Sequence, residues 1–293
     1  MTPRSAPHTW VNRHVLALLF VTLVWGATFP VLKLATAHLS GVEISALRFV
    51  IAALCMAPWA LRASCRAWTD GAVLGALVLV SYVAQAWGLE HISSNRSAFL
   101  TSLNVLMVPL LGIVLGNRLS WTVLLAAAMA CVGIGLMSWD GGAHLLADSA
   151  TVFGALAYAG YVIFLSRKAG LHSARTLAAT QIVWMALLGS VWAWAASLGT
   201  DRMHTLPERI DTQILLGLAY LGVVATAGML FLQAMAQRHV SADKAALIYA
   251  MEPVFAALFA WIWLAESLSW MAAFGAVIVV SAVLLSEWKS GAG

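Results

Sequence analysis

The sequence predicts an all-α integral membrane protein: ten transmembrane helices, built as two inverted-topology five-helix repeats around a central cavity. Three observations predict it. Of 293 residues, 62% are hydrophobic and only 10% charged, with a mean hydropathy of +0.90, which exceeds what a soluble fold can hide. The apolar residues fall into runs long enough for a bilayer, which accepts a helix because it satisfies its own backbone and needs about 20 residues to cross. Finally, the second half of the chain restates the first.

Taken in order, the apolar runs between Pro, Gly and charged punctuation place the spans near 14–34, 42–61, 70–90, 96–116, 119–138, 149–167, 174–198, 211–236, 241–264 and 269–287. The first follows Arg4 and Arg13 and ends near Ala35-Thr36-Ala37, as a signal peptide would, but it is too long and has a counterpart in the second half. It carries Trp25, Thr28 and Pro30, and the second carries Arg48. The third holds Tyr82 and Gln85; the fourth holds Ser97, Thr101, Asn104, Val108 and Pro109. The sixth holds Tyr158 and Tyr161, the seventh Gln181 and Trp184, the eighth Gln233, and the ninth Tyr249, Glu252 and Pro253. The fifth and tenth have only Cys131 and Ser281 as central polar residues, which predicts a peripheral, lipid-facing place. The longest connection, Gly199 to Asp211, is the only one mixing several acids and bases, and no run of sequence suits a soluble domain.

Charge sets the orientation. The connections on the side of the N-terminus hold Arg4, Arg13, Arg62, Arg66, Arg118, Arg167, Lys168, Arg175, Arg238, Lys244 and Lys289, against Lys33, Arg96, Arg202 and Arg209 on the other. The positive-inside rule then puts both termini in the cytoplasm. A net charge of +4 is thus a topology signal, and nucleic acid is not expected as a partner. Three cysteines without CxxC spacing and eight scattered histidines predict no disulfide framework, metal site or cofactor.

An ungapped shift of 149 lays Asn104-Val105 on Pro253-Val254, Leu115 on Leu264, Leu119-Ser120-Trp121 on Leu268-Ser269-Trp270, and Leu136 on Leu285. A shift of 134 lays Trp25-Gly26 and Lys33 on Ala159-Gly160 and Arg167. The organisation read from this is a tail (1–13), a first repeat (14–138), a second repeat (149–287) and a tail (288–293). Five helices per repeat invert the second half, a design of transporters that site the substrate between the halves.

Polar groups at mid-bilayer depth are costly unless they face protein or water, so their positions outline an interior. Ser97, Thr101, Asn104 and Val108 share a helix face, as do Ala245, Tyr249, Glu252 and Ala256. Pro30, Pro109 and Pro253 are expected to break their helices, freeing the carbonyls of Gly26, Val105 and Tyr249. Glu252 has no cation predicted at its depth; it reads as a proton carrier, a contact for a substrate amine, or a carboxyl capping the proline break. Lys33 and Arg48 are read as cations near the outer helix ends, snorkelling to the interface, with Glu43 and Glu266 at the outer surface. Trp59, Trp68, Trp121, Trp139, Trp270 and Trp288 read as belt residues. The spacings Gly71–Gly75 and Gly112–Gly116 favour close packing inside the chain, with a homodimer as the alternative. Asn95-Arg96-Ser97 matches a sequon at a membrane boundary and is discounted. The substrate-binding set expected from these residues is Trp25, Thr28, Tyr82, Gln85, Thr101, Asn104, Tyr158, Tyr161, Gln181, Trp184, Gln233, Tyr249 and Glu252.

Trp25-Gly26-Ala27-Thr28-Phe29 followed by Lys33, then Leu47-Arg48-Phe49, then Glu252-Pro253-Val254-Phe255-Ala256-Ala257 leading to Leu264-Ala265-Glu266, resemble the EamA-type members of the drug/metabolite transporter superfamily. One departure is Asn104 where the first repeat often carries proline, which would displace that break to Pro109. The resemblance implies helices 1 to 4 and 6 to 9 around a central cavity, with alternating access by rocking of the halves. The chain is most similar to bacterial inner-membrane exporters of aromatic and other neutral amino acids. Organic cations, drugs or other small metabolites are the alternative cargo, with membrane lipid as the surrounding partner. A membrane-embedded enzyme lacks a Ser/His pair, paired carboxylates or a phosphate loop in this sequence, and a sensor would not require a polar interior in both repeats.

Overall fold

The computed structural model describes residues 13–116, 121–138, 144–264 and 269–288. Arg4 and Lys289 in the two tails lie outside the described residues, as do Arg118, Leu119, Ser120, Trp139, Ala265, Glu266 and Leu268. The repeated Leu-Ser-Trp is therefore described only in part.

Among the described residues the fold is entirely helical. The elements are α1 (Arg13–Gly26), α2 (Thr28–Ala35), α3 (Gly41–Ala60), α4 (Cys65–His91), α5 (Ser94–Ser102), α6 (Asn104–Val114), α7 (Trp121–Ser138), α8 (Leu145–Lys168), α9 (Ala174–Ser197), α10 (Thr212–Ala219), a π-helical segment (Tyr220–Gly228), α11 (Met229–Ala236), α12 (Ala242–Tyr249), α13 (Glu252–Leu264) and α14 (Trp270–Trp288). Taken across their breaks, eight of these helical runs are long and apolar enough to cross a membrane, and two shorter apolar helices, Trp121–Leu136 and Trp270–Leu285, accompany them.

Local chemistry sets the helix starts. Ser40, Ser64, Ser93, Ser173 and Asp211 each accept a hydrogen bond from the backbone N–H three residues on, at the heads of α3, α4, α5, α9 and α10, satisfying a donor that the helix cannot. Ser40 and Glu43 form a reciprocal capping box. The cap at Ser64 starts α4 at Cys65, ahead of the expected position 70. At the other end of α4, Lys33 Nζ donates to the carbonyls of Leu89 (2.7 Å) and Ile92 (3.2 Å).

Packing depends on small residues. A Cβ on Gly71 would press on Thr180 Oγ1, and one on Gly75 would stand 2.7 Å from the Gln181 carbonyl, so this glycine pair seats α4 on α9 within the chain. Gly116 instead has φ +86° with nothing near it, and ends its helix rather than packing another. Helices α7 and α14 lie against each other, with Gly133 beside the Gly275 carbonyl and Val279. Much of their remaining surface is bare apolar side chain, as at Trp121, Val132, Trp270 and Val277, a surface suited to lipid.

Candidate functional site

Three helical runs are interrupted, and the interruptions are where polar side chains gather. The chain breaks at Ala27 between α1 and α2, at Leu103 between α5 and α6, and at Ala250–Met251 between α12 and α13. Pro30 and Pro253 fall in the first turn after a break, where a missing N–H does no harm. Pro109 does not behave as expected: it sits inside α6 without interrupting it. The break in that run lies at Leu103, where Asn104 Nδ2 donates to the Thr101 carbonyl (2.7 Å). A short amide can thus compete for backbone groups and end a helix without proline. Thr28 Oγ1 does the same at the first break, donating to the Trp25 carbonyl (2.6 Å).

A cavity lies among these breaks, lined by Trp25, Thr28, Arg48, Ser81, Tyr82, Gln85, Thr101, Asn104, Tyr158 and Glu252. All of these except Arg48 and Ser81 belong to the set expected to bind substrate. The free volume in this conformation is about 20 Å³, room for a water molecule and little else. Trp25 meets Tyr158 edge to face at 6.1 Å and Tyr249 in a tilted contact at 5.7 Å, while its indole Nε1 donates to the Ala225 carbonyl (2.9 Å). Gln85 Nε2 reaches Thr101 Oγ1 at 3.4 Å. Glu252 joins none of the ion pairs among the described residues.

The remaining expected residues lie elsewhere. Tyr161, Gln181, Gln233 and Tyr249 are sealed behind the cavity wall. Tyr161 Oη donates to Gln233 Oε1 (3.1 Å), and Gln233 Nε2 donates to Tyr158 Oη (3.1 Å). Tyr249 Oη donates to Gln237 Oε1 at 3.3 Å. Trp184 packs on Trp68 and donates to its carbonyl (3.1 Å), between α9 and α4.

Arg48 corrects the sequence reading most clearly. Expected to snorkel to the interface, it is 4% exposed and lines the cavity. Its Nε donates to Thr226 Oγ1 (3.0 Å), and its guanidinium carbon stands 4.8 Å from the Tyr82 ring centre. From Gly41 at the start of α3 to Arg48 is roughly 10 Å of helix rise, too deep for its side chain to return to that end. Ser81, also missed, lies one turn before Gln85 on α4.

Two charged clusters flank the bundle. Glu43 pairs with Arg209 (2.7 Å) and Arg202 (3.0 Å), pinning the long Gly199–Asp211 connection to the head of α3; the hydrogen bond to Glu43 holds the Arg202 guanidinium above its usual range. Asp70 pairs with Lys168 and His172, both at 2.8 Å, joining the start of α4 to the α8–α9 connection.

Fold and cavity together define a polytopic membrane protein with a polar, aromatic-lined interior. Residues 12–139 and, again, residues 145–288 match the EamA-like transporter family. The chain belongs to that family. An "Uncharacterized transporter" of Archaeoglobus fulgidus is 28% identical over 273 residues, covering 92% of this chain and 84% of the relative. A "Probable amino-acid metabolite efflux pump" of Escherichia coli is 29% identical over 224 residues, covering 72% of this chain and 73% of the relative. A crystal structure with 14% sequence identity shares the fold, with a TM-score of 0.77 over 95% of this chain and 98% of the other.

Proposed function

We propose that this protein exports amino acids, aromatic or bulky neutral ones foremost, from the cytoplasm across a bacterial inner membrane by alternating access. The observation that carries the reading is the cavity wall: Trp25, Tyr82 and Tyr158 offer aromatic faces beside the amides of Gln85 and Asn104, the hydroxyls of Thr28 and Thr101, and the Glu252 carboxyl. Rings accept a flat or apolar side chain and a cation over their faces, and the polar groups address the amino and carboxyl ends. The name of the Escherichia coli relative supports the same cargo.

On this reading all ten apolar helices cross the bilayer, as two inverted repeats with both termini cytoplasmic. The double match to one family, at 12–139 and 145–288, supports two repeats, and the excess of Lys and Arg on one side supports the orientation. A cavity of about 20 Å³ must widen to admit an amino acid, which supports a moving mechanism over a fixed pore. Organic cations are the second reading, favoured by an acidic group beside aromatic rings.

Purified protein in liposomes loaded with an amino-acid panel tests the proposal. Counterflow of tryptophan and phenylalanine is expected; cation flux without either amino acid would select the second reading. Glu252→Gln separates the roles of that carboxyl, because loss of pH-driven uptake with counterflow retained identifies a proton carrier, and loss of both identifies a substrate contact.

A further inference from the structure

We propose that Arg48 is a specificity-determining residue that anchors the carboxylate of the cargo; the inference rests on the amino-acid reading above and deepens it. A buried cation inside a membrane protein is costly unless it is paired or serves a ligand. The guanidinium of Arg48 makes one hydrogen bond among the described residues, from Nε to Thr226 Oγ1. Its two terminal nitrogens make none there, and none of the ion pairs among those residues includes it. They are the fork that binds a carboxylate through two parallel bonds.

The surroundings hold the side chain in place. Thr226 lies in the π-helical segment, and its hydroxyl donates to the Leu221 carbonyl five residues earlier (2.7 Å), leaving its oxygen to accept from Arg48. Gly222 of the same segment lets it approach α3, since a Cβ there would stand 2.7 Å from Ile51 and 2.9 Å from the Arg48 carbonyl. The Tyr82 ring lies within cation–π distance of the guanidinium. A π-helical turn at a functional site is a recurrent device.

Arg48 and Glu252 line the same cavity and do not pair with each other. A cavity with one cationic and one acidic group, neither neutralising the other, matches a solute that carries both charges.

The test uses liposomes containing the full chain, with phenylalanine, phenylalaninamide (an ammonium without a carboxylate) and 3-phenylpropionate (a carboxylate without an ammonium). Arg48→Gln is expected to raise the KM for phenylalanine on the order of 10- to 100-fold, the range for a lost charged hydrogen-bonded contact, while phenylalaninamide keeps its KM and Arg48→Lys recovers part of the loss. An unchanged phenylalanine KM, or an equal loss for phenylalaninamide, overturns the inference. Should Arg48→Gln fail to fold, competition in the unaltered protein decides: phenylpropionate must inhibit phenylalanine counterflow, and its failure to do so overturns the role of Arg48. If the unaltered protein moves no amino acid, the amino-acid reading falls by itself, and phenylpropionate binding followed by tryptophan fluorescence, with and without Arg48→Lys, still judges the carboxylate anchor.

Discussion

Replacing Gly26 with alanine tests how closely the first break must sit against α13. A Cβ on Gly26 would stand 2.6 Å from Phe255 Cβ, 2.9 Å from the Ala256 nitrogen and 3.0 Å from the Phe255 carbonyl carbon. Ordinary carbon contacts lie near 3.5–4.0 Å, so the two helices must part by about 1 Å. None of the three atoms can rotate away, which places the cost toward the upper part of the roughly 1–3 kcal/mol typical of overpacking. For about 2 kcal/mol, the midpoint of thermal unfolding falls by about 3 °C in a chain of 293 residues. Gly160→Ala is the control, because its nearest neighbour would be Leu77 Cδ2 at 3.8 Å; there alanine gains up to about 1 kcal/mol of helix stability. The assay is loss of the monodisperse peak after heating in detergent, with phenylalanine counterflow measured alongside. Equal melting of the two variants, with equal transport, would refute the packing argument.

Gln233→Leu leaves the hydroxyls of Tyr158 and Tyr161 without their amide partner, at about 1–3 kcal/mol for each buried group left unpaired; a lower melting midpoint with unchanged expression is expected, and an unchanged midpoint would contradict it. Glu43→Gln removes both ion pairs that hold the Gly199–Asp211 connection. Arg202 is 47% exposed and Arg209 22%, so the loss is about 1 kcal/mol or less and falls mainly on Arg209. Trypsin should then cut this connection faster, and high salt should narrow the difference from the unaltered protein.

Hydropathy makes the helices legible, because a membrane imposes a length and a polarity that the chain must display. Glu252, Asn104, Gln85 and Tyr82 can be singled out since polar atoms at depth need an interior. Depth along a helix does not give direction around the bundle, which is why Gln233, Tyr161 and Tyr249, equally deep, support the wall rather than line it. For Arg48 the tendency of long cations to reach the interface outweighs depth in the sequence reading, although helix rise from Gly41 already places it beyond snorkelling reach. The π-helical segment is not expected from the sequence, and neither is the close approach of its Gly222 to Ile51 and the Arg48 carbonyl, which joins residues far apart in the chain.

The Tyr161–Gln233–Tyr158 relay ties α8 to α11. Tyr161 points its hydrogen at the amide oxygen, and the amide nitrogen points one at the oxygen of Tyr158. Tyr158 also lines the chamber, so the relay reaches from one of its walls into the bundle behind it. One fully buried glutamine thus anchors an aromatic side of the chamber to a second helix, so that this stretch of wall cannot shift alone without parting both bonds.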